Sequence, residues 1–305
     1  MLKQLFITLF LILPLLTFSQ QIKNVPQAFN SLNPDPEVIT LTNKIKVPKK
    51  RGHFQGVQVI EQNGSQKLII SGSSRRKAYL LQADLTKKKA EKLITLMTDP
   101  YRHAGGFQVD NQYLIVGIED NIAKTSSKVC LFNYLNENLE QANPTLKIDR
   151  AGEPKRYSAG ATGLMAIDTN YLLLVTNWDS RDWDFYEVNP ETGEYLFLKS
   201  FHAPGDWGSY QATNLLRDDE AIYAIGFYQG NGGCQADLIL VSKLDDFNLI
   251  MEKMATKIFS CQGGVDFSGA AGLEVDREGK LSVWGTQKNT GKKIVLNKFS
   301  SDDRF

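Results

Sequence analysis

Short apolar runs recur along this chain with a steady rhythm. Each cycle opens on a small residue, an apolar or β-branched one, then a longer side chain. The five openings are Gly56-Val57-Gln58, Gly106-Phe107-Gln108, Gly163-Leu164-Met165, Ala212-Thr213-Asn214 and Gly272-Leu273-Glu274. A second run follows in every cycle: KLIISG (67–72), YLIVGIE (113–119), YLLLVT (171–176), AIYAIGF (221–227) and KLSVWG (280–285). A third comes after a polar turn: AYLLQADL, KVCLFNYL, DWDFYEV, ADLILVSKL and KKIVLNKF. Four cycles add a fourth: EKLITLM (91–97), PTLKID (144–149), EYLFLKSF (194–201) and a run within NLIMEKMATKIFS (248–260). The runs are too short for helices, rich in β-branched and aromatic residues, and bounded by Gly, Asn, Asp and Ser. That pattern predicts strands.

Five copies repeating at about fifty residues, four of them with four strands, predict an all-β, five-bladed β-propeller with four-stranded blades. Its innermost strands fall near 56–60, 106–110, 163–167, 212–216 and 272–276. The fifth copy ends at KKIVLNKFSSDDRF without a fourth strand, while EVITLTNKIKV (37–47) alternates as a strand with no blade of its own. The last blade is therefore expected to be closed by this N-terminal strand, which also covers a sheet edge. A pair of β-sandwiches is the competing architecture. The expected organisation is a leader over 1–19, a lead segment over 20–36 and one propeller domain over 37–305.

The leader reads MLKQLFITLFLILPLLTFSQQ: Lys3, an apolar run from Leu5 to Phe18, and small residues Thr17 and Ser19 before Gln20. This is the layout of a cleaved signal peptide, so a secreted or periplasmic location is expected. No later stretch approaches the roughly 18 apolar residues of a membrane span. Hydrophobic content of 42% suits a folded globular chain, and a net charge of +1 offers no general attraction for nucleic acid. A monomer is expected.

In a four-stranded blade, the loop entering the first strand and the loop joining the second and third lie on one face. That face gathers His53, His103, His202 and Trp207 with Arg75, Arg76, Glu119, Asp120, Trp178, Asp179, Asp182, Trp183, Tyr228 and Gln287. Loops on a rigid scaffold are where binding groups concentrate. Trp178 and Trp207 could stack on the C–H side of a sugar ring, while Asp179, Asp182 and Asp206 accept from its hydroxyls. His53 and His103 sit at equivalent positions of neighbouring cycles. Gln58, Gln108, Met165, Asn214 and Glu274 alternate with the small residues and would face the axis, open to a ligand or bonded to one another.

Glycoside hydrolysis needs two carboxylates across the scissile bond. Asp120, Asp179, Asp182, Asp206 and Glu274 are available, and nothing ranks one pair above another, so catalytic residues remain unassigned. Three histidines could hold zinc, but His53 and His103 could as well cap the starts of blades; no metal site and no cofactor is assigned. Gly-x-Ser-x-Gly, P-loop and dinucleotide fingerprints are missing from the sequence. Cys130 lies inside a strand as a buried hydrophobe. Cys234 and Cys261 fall on one face of adjacent blades, a reasonable disulfide in an exported chain.

With these repeats the chain resembles five-bladed propellers as a class, among them secreted arabinanase- and fructosidase-like glycosidases and tachylectin-like sugar-binding proteins. The resemblance rests on repeat number and strand pattern and carries over no functional residue. The Trp/Asp-rich face itself carries the expectation of a small polar ligand, above all a carbohydrate. A glycoside hydrolase or lyase on the same face and a scaffold for a protein partner are the alternatives.

Overall fold

The computed structural model describes residues 22–48, 52–62, 64–136, 139–244, 247–289 and 291–301. The expected leader over 1–19 lies outside the described residues. A helix, α1 (Val25–Ser31), leads into strand β1 (Glu37–Thr42). Blade one holds β2 (Phe54–Gln62), β3 (Ser65–Gly72), β4 (Lys77–Asp84) and β5 (Lys89–Thr98). Blade two holds β6 (Tyr101–Asp110), β7 (Tyr113–Asp120), β8 (Ser126–Asn133) and β9 (Leu146–Ala151). Blade three holds β10 (Ala161–Ile167), β11 (Asn170–Thr176), β12 (Asp182–Asn189) and β13 (Glu194–His202). Blade four holds β14 (Ala212–Arg217), β15 (Ala221–Gly230), β16 (Gly233–Lys243) and β17 (Glu252–Phe259). Blade five holds β18 (Val265–Val275), β19 (Leu281–Gln287) and β20 (Lys293–Ser300).

The fourth strand of blade five is β1. It runs antiparallel to β20 from Glu37 opposite Lys298 to Thr42 opposite Lys293. The strand is shorter than its alternating sequence: after Thr42 the Asn43 side chain turns the chain, donating to Gly291 O and accepting from Ile45 N. The helix in the lead segment was not legible as an element. Asn24 caps it through Gln27 N, and Ile22, Val25, Ala28, Phe29 and Leu32 pack into the seam between blades four and five.

Each seam between blades holds its own apolar cluster, and successive residues of one strand serve different seams. In β3, Leu68 and Ile70 pack toward blade five while Ile69 packs toward blade two. Strands buried on both sides read as near-continuous apolar runs, which is why the second and third runs of each cycle look alike.

The small residues of the repeat mark where the inner strands crowd together. A Cβ on Gly106 would lie 2.5 Å from Gln211 O, and one on Gly272 would lie 1.9 Å from Val57 O. Both contacts are with backbone, which cannot yield as a flexible side chain could.

Three long polar residues bind the axis. Gln58 of blade one donates to Asn214 Oδ1 of blade four at 3.1 Å, and Asn214 donates to Phe107 O of blade two at 3.1 Å. Gln108 accepts from Leu164 N and Leu215 N and donates to Leu215 O. All three are buried, so Gln58 and Gln108 hold inner strands together and are closed to a ligand. Met165 and Glu274 do not join them. Met165 packs with Trp183 and Leu215, while Glu274 accepts from Trp284 Nε1 at 2.9 Å and lies 3.6 Å from Lys298 Nζ. Glu274 sits one residue from the end of β18, toward the face opposite the tryptophan-bearing loops.

Candidate functional site

The tryptophan-bearing face is built from blade starts and from the loops joining second to third strands. Near the axis, on the seam of blades one and two, the Gln55 amide nitrogen donates to Nε2 of His53 and, at 2.9 Å, to Nε2 of His103. The other side of His103 faces Glu119, with Nδ1 3.1 Å from Oε1. Glu119 in turn accepts from Ala159 N of blade three at 3.0 Å. Burial, with the neighbouring His103 and Lys288, pushes the His53 pKa down to about 4. Burial disfavours the charged ring, and nearby positive groups disfavour it further.

His202 stands apart. Its side chain is exposed, with Nδ1 2.9 Å from Asp182 Oδ1. The three histidines therefore do not converge, because His202 ends an outermost strand while the other two begin innermost ones. Among the described residues, no group of three or more His, Cys, Asp or Glu side chains is placed to hold a metal ion.

The four tryptophans are largely structural. Trp183 is fully buried and donates from Nε1 to Ser180 O. Trp207 is 7% exposed and meets Trp183 edge-on at 5.8 Å and Phe201 at 5.6 Å. Arg181 fixes the Trp207 loop by donating to the carbonyls of Pro204, Trp207 and Gly208. Trp207 is thus a loop plug rather than a stacking platform, since its faces are spent on neighbours. Trp178 is 39% exposed, but Lys124 Nζ lies 3.4 Å from its ring centroid and covers one face.

The aspartates expected beside them scatter. Asp182 accepts from Asn177 Nδ2 at 2.7 Å and holds His202, while Asp206 is exposed, 4.0 Å from Lys253. Asp179 has a buried Oδ1 that accepts no hydrogen bond among the described residues. On the same blade Asp184, which the sequence reading did not single out, is buried among paired charges. Burial pushes its carboxyl up, but hydrogen bonds from Arg156 and Ser200 and the charges of Arg150 and Arg156 outweigh burial and hold it below the usual range.

What the face does offer is a cavity of about 380 Å³ between blades one and two, lined by Ser74, Arg75, Arg102, His103, Asn121 and Ile122. Clefts of roughly 300–1,000 Å³ are the size used for small ligands. Ser74 sets the β3–β4 loop by accepting from Arg76 N and Lys77 N. Asp120 sets the β7–β8 loop by accepting from Ile122 N and Ala123 N. Arg75 and His103 of this lining stood among the expected face residues; Ser74, Arg102, Asn121 and Ile122 did not. Arg102 directly precedes His103 in YRHAGGFQV, so the repeat itself pointed to its position though not to its role. A second cavity, of about 320 Å³, opens on the opposite face with Asp168, Glu191, Tyr113 and Arg217 in its wall. There the Tyr113 hydroxyl donates to Glu191 at 2.5 Å.

Cys234 and Cys261 are joined by a disulfide that ties β16 to the loop entering β18, and Cys130 is free and buried. No protein-family model and no curated protein matches the sequence. The chain is similar in structure to a GH43 endo-arabinanase from Bacillus licheniformis, with a TM-score of 0.53 and 10% identity over 83% of this chain and 96% of that one. It is also similar to an exo-β-1,3-galactanase from Phanerochaete chrysosporium, with a TM-score of 0.51 and 7% identity over 86% of this chain. It spans 63% of the galactanase chain. At such identities the likeness is one of fold: the chain is a five-bladed β-propeller.

Proposed function

We propose that this chain is an exported propeller that binds a carbohydrate, without cleaving it, in the cavity between blades one and two. The observation that carries the reading is the lining. Arg75, Arg102, His103, Ser74 and Asn121 supply polar groups, Ile122 supplies an apolar surface, and none of the described lining residues is a carboxylate. Hydrolysis of a glycosidic bond calls for two carboxyl groups facing the bond. Glu119 is fully buried behind His103, and Asp120 is engaged with backbone amides. The two proteins of similar fold are named for carbohydrates they act on, which makes carbohydrate the first ligand class to test. The leader sequence and the Cys234–Cys261 pair support export to an oxidising compartment.

The test is a glycan panel run in parallel with a hydrolysis screen on the exported protein. Binding without new reducing ends is the expected result. Product release would move the assignment to the hydrolase reading, and an empty panel would remove carbohydrate altogether. One observation favours a protein partner as the second reading: Tyr195, Leu196 and Phe197 are consecutive and exposed on β13, an outermost strand. Consecutive exposed apolar side chains mark surfaces that meet other proteins.

A further inference from the structure

We propose that the ligand of the cavity between blades one and two is acidic, a saccharide bearing carboxylate or sulfate groups. This deepens the carbohydrate-binding reading and rests on it.

The two guanidinium groups in the lining are not neutralised within the cavity. Arg75 uses only its backbone carbonyl, which accepts from Arg102 Nη1 at 2.7 Å; its exposed side chain has no hydrogen-bond or ion-pair partner among the described residues. Arg102 places Nε 3.1 Å from Asp99 Oδ1, but the Asp99 side chain is 74% exposed and the Arg102 side chain only 15%. An ion pair with so exposed a partner is screened by water and salt. Arg102 is therefore a largely sheltered cation held toward the cavity by Arg75 O, with guanidinium donors to spare.

None of the nearby carboxylates, Asp99, Glu119 and Asp120, lines the cavity. Glu119 is buried, with Oε1 3.1 Å from His103 Nδ1 and Oε2 accepting from Ala159 N, and Asp120 accepts from the amides of Ile122 and Ala123 through Oδ1. The same loop carries Lys124, whose ammonium sits on Trp178 at the outer margin. The chain as a whole has a net charge of only +1, so this is a local arrangement rather than a general basic surface. Planar guanidinium forks match carboxylate and sulfate oxygens with paired, charge-assisted hydrogen bonds. Asn121 has no side-chain partner either, leaving an amide for sugar hydroxyls beside exposed Ile122.

The experiment uses the full mature chain and three probes of equal length: a neutral trigalactoside, trigalacturonate and a sulfated galactose trisaccharide. Titration calorimetry at low and high salt should show one or both acidic probes binding at least about tenfold tighter than the neutral one. Arg75→Gln and Arg102→Gln should each weaken the acidic complex roughly 10- to 100-fold, the worth of a charge-assisted hydrogen bond, and shrink its lead over the neutral probe. Because Arg75 is exposed, its variant should melt with the wild type, which separates lost binding from lost folding. Preference for one acidic probe identifies the group read. Equal or tighter binding of the neutral probe would overturn the acidic assignment and leave the carbohydrate reading intact. Binding of none of the three, nor of any glycan on the panel, would end both. Acidic binding indifferent to both substitutions would place the anion elsewhere and overturn the inference.

Discussion

Gln108 of blade two and Leu215 of blade four exchange two hydrogen bonds across the propeller axis, each 2.7 Å long. The same Oε1 also accepts from Leu164 N of blade three at 2.9 Å. One side chain therefore fastens three blades where the inner strands cannot all pair with one another. Gln108→Leu keeps the volume but leaves three buried backbone groups without this partner. Each such group costs about 1–3 kcal/mol, so a loss of at least about 3 kcal/mol is expected in urea unfolding. A loss below about 1 kcal/mol would mean that water or a neighbour replaces the amide and the axis is not held this way.

The repeat made the propeller legible because its period is imposed by local rules: Gly or Ala where backbones crowd, apolar runs where strands bury both faces. Closure by the segment near residue 40 was legible for the same reason, as one strand was missing at one end and one was spare at the other. The site was not. Trp178 and Trp207 look equivalent in sequence, yet Trp207 fills the space beside Trp183 and Phe201 while Trp178 lies at the surface under Lys124. Gln108 and Glu274 occupy matching positions of the repeat, yet one crosses the axis and the other leans on Trp284 and Lys298. Such outcomes depend on which residues neighbouring blades place opposite, and a single strand does not encode that. The cavity was least visible, because its lining comes from two loops and the start of β6.

The contrast between the two tryptophans is measurable. Trp207→Ala removes a large, well-packed side chain and should cost about 3–5 kcal/mol. Trp178→Ala should cost under about 1 kcal/mol, the scale of an exposed cation–π contact. In the folded wild type, acrylamide should quench Trp178 emission well before that of the buried tryptophans. Comparable destabilisation by the two substitutions would contradict the burial pattern.

The Cys234–Cys261 disulfide spans a sequence separation of 27. Loop-closure entropy for that length corresponds to about 3.5 kcal/mol, provided the folded geometry is undisturbed. The double variant Cys234→Ser/Cys261→Ser should melt at a lower temperature than the oxidised wild type and match the reduced wild type. Burial pushes the Cys130 thiol up to about 12, so it should stay unreactive toward thiol reagents until the chain unfolds. Two reactive thiols in the native, unreduced protein would refute the pairing.

His53 gives the chain a defined acid sensitivity. Its folded-state pKa is about 4, while the unfolded value is near 6.5. Between those values the unfolded chain takes up a proton that the folded chain refuses, so stability falls as pH falls. Above about pH 6.5 both states are neutral and this contribution is flat. Between pH 6.5 and 4 the loss from this residue approaches about 1.4 kcal/mol per pH unit. His53→Asn keeps a polar side chain that cannot be protonated. Urea unfolding at pH 7, 6, 5 and 4.5 should therefore show wild type losing ground against the variant step by step, while carboxylate titration, common to both, cancels in the difference. A difference that stays constant across this range would mean that His53 titrates normally and is not enclosed beside Gln55 and His103.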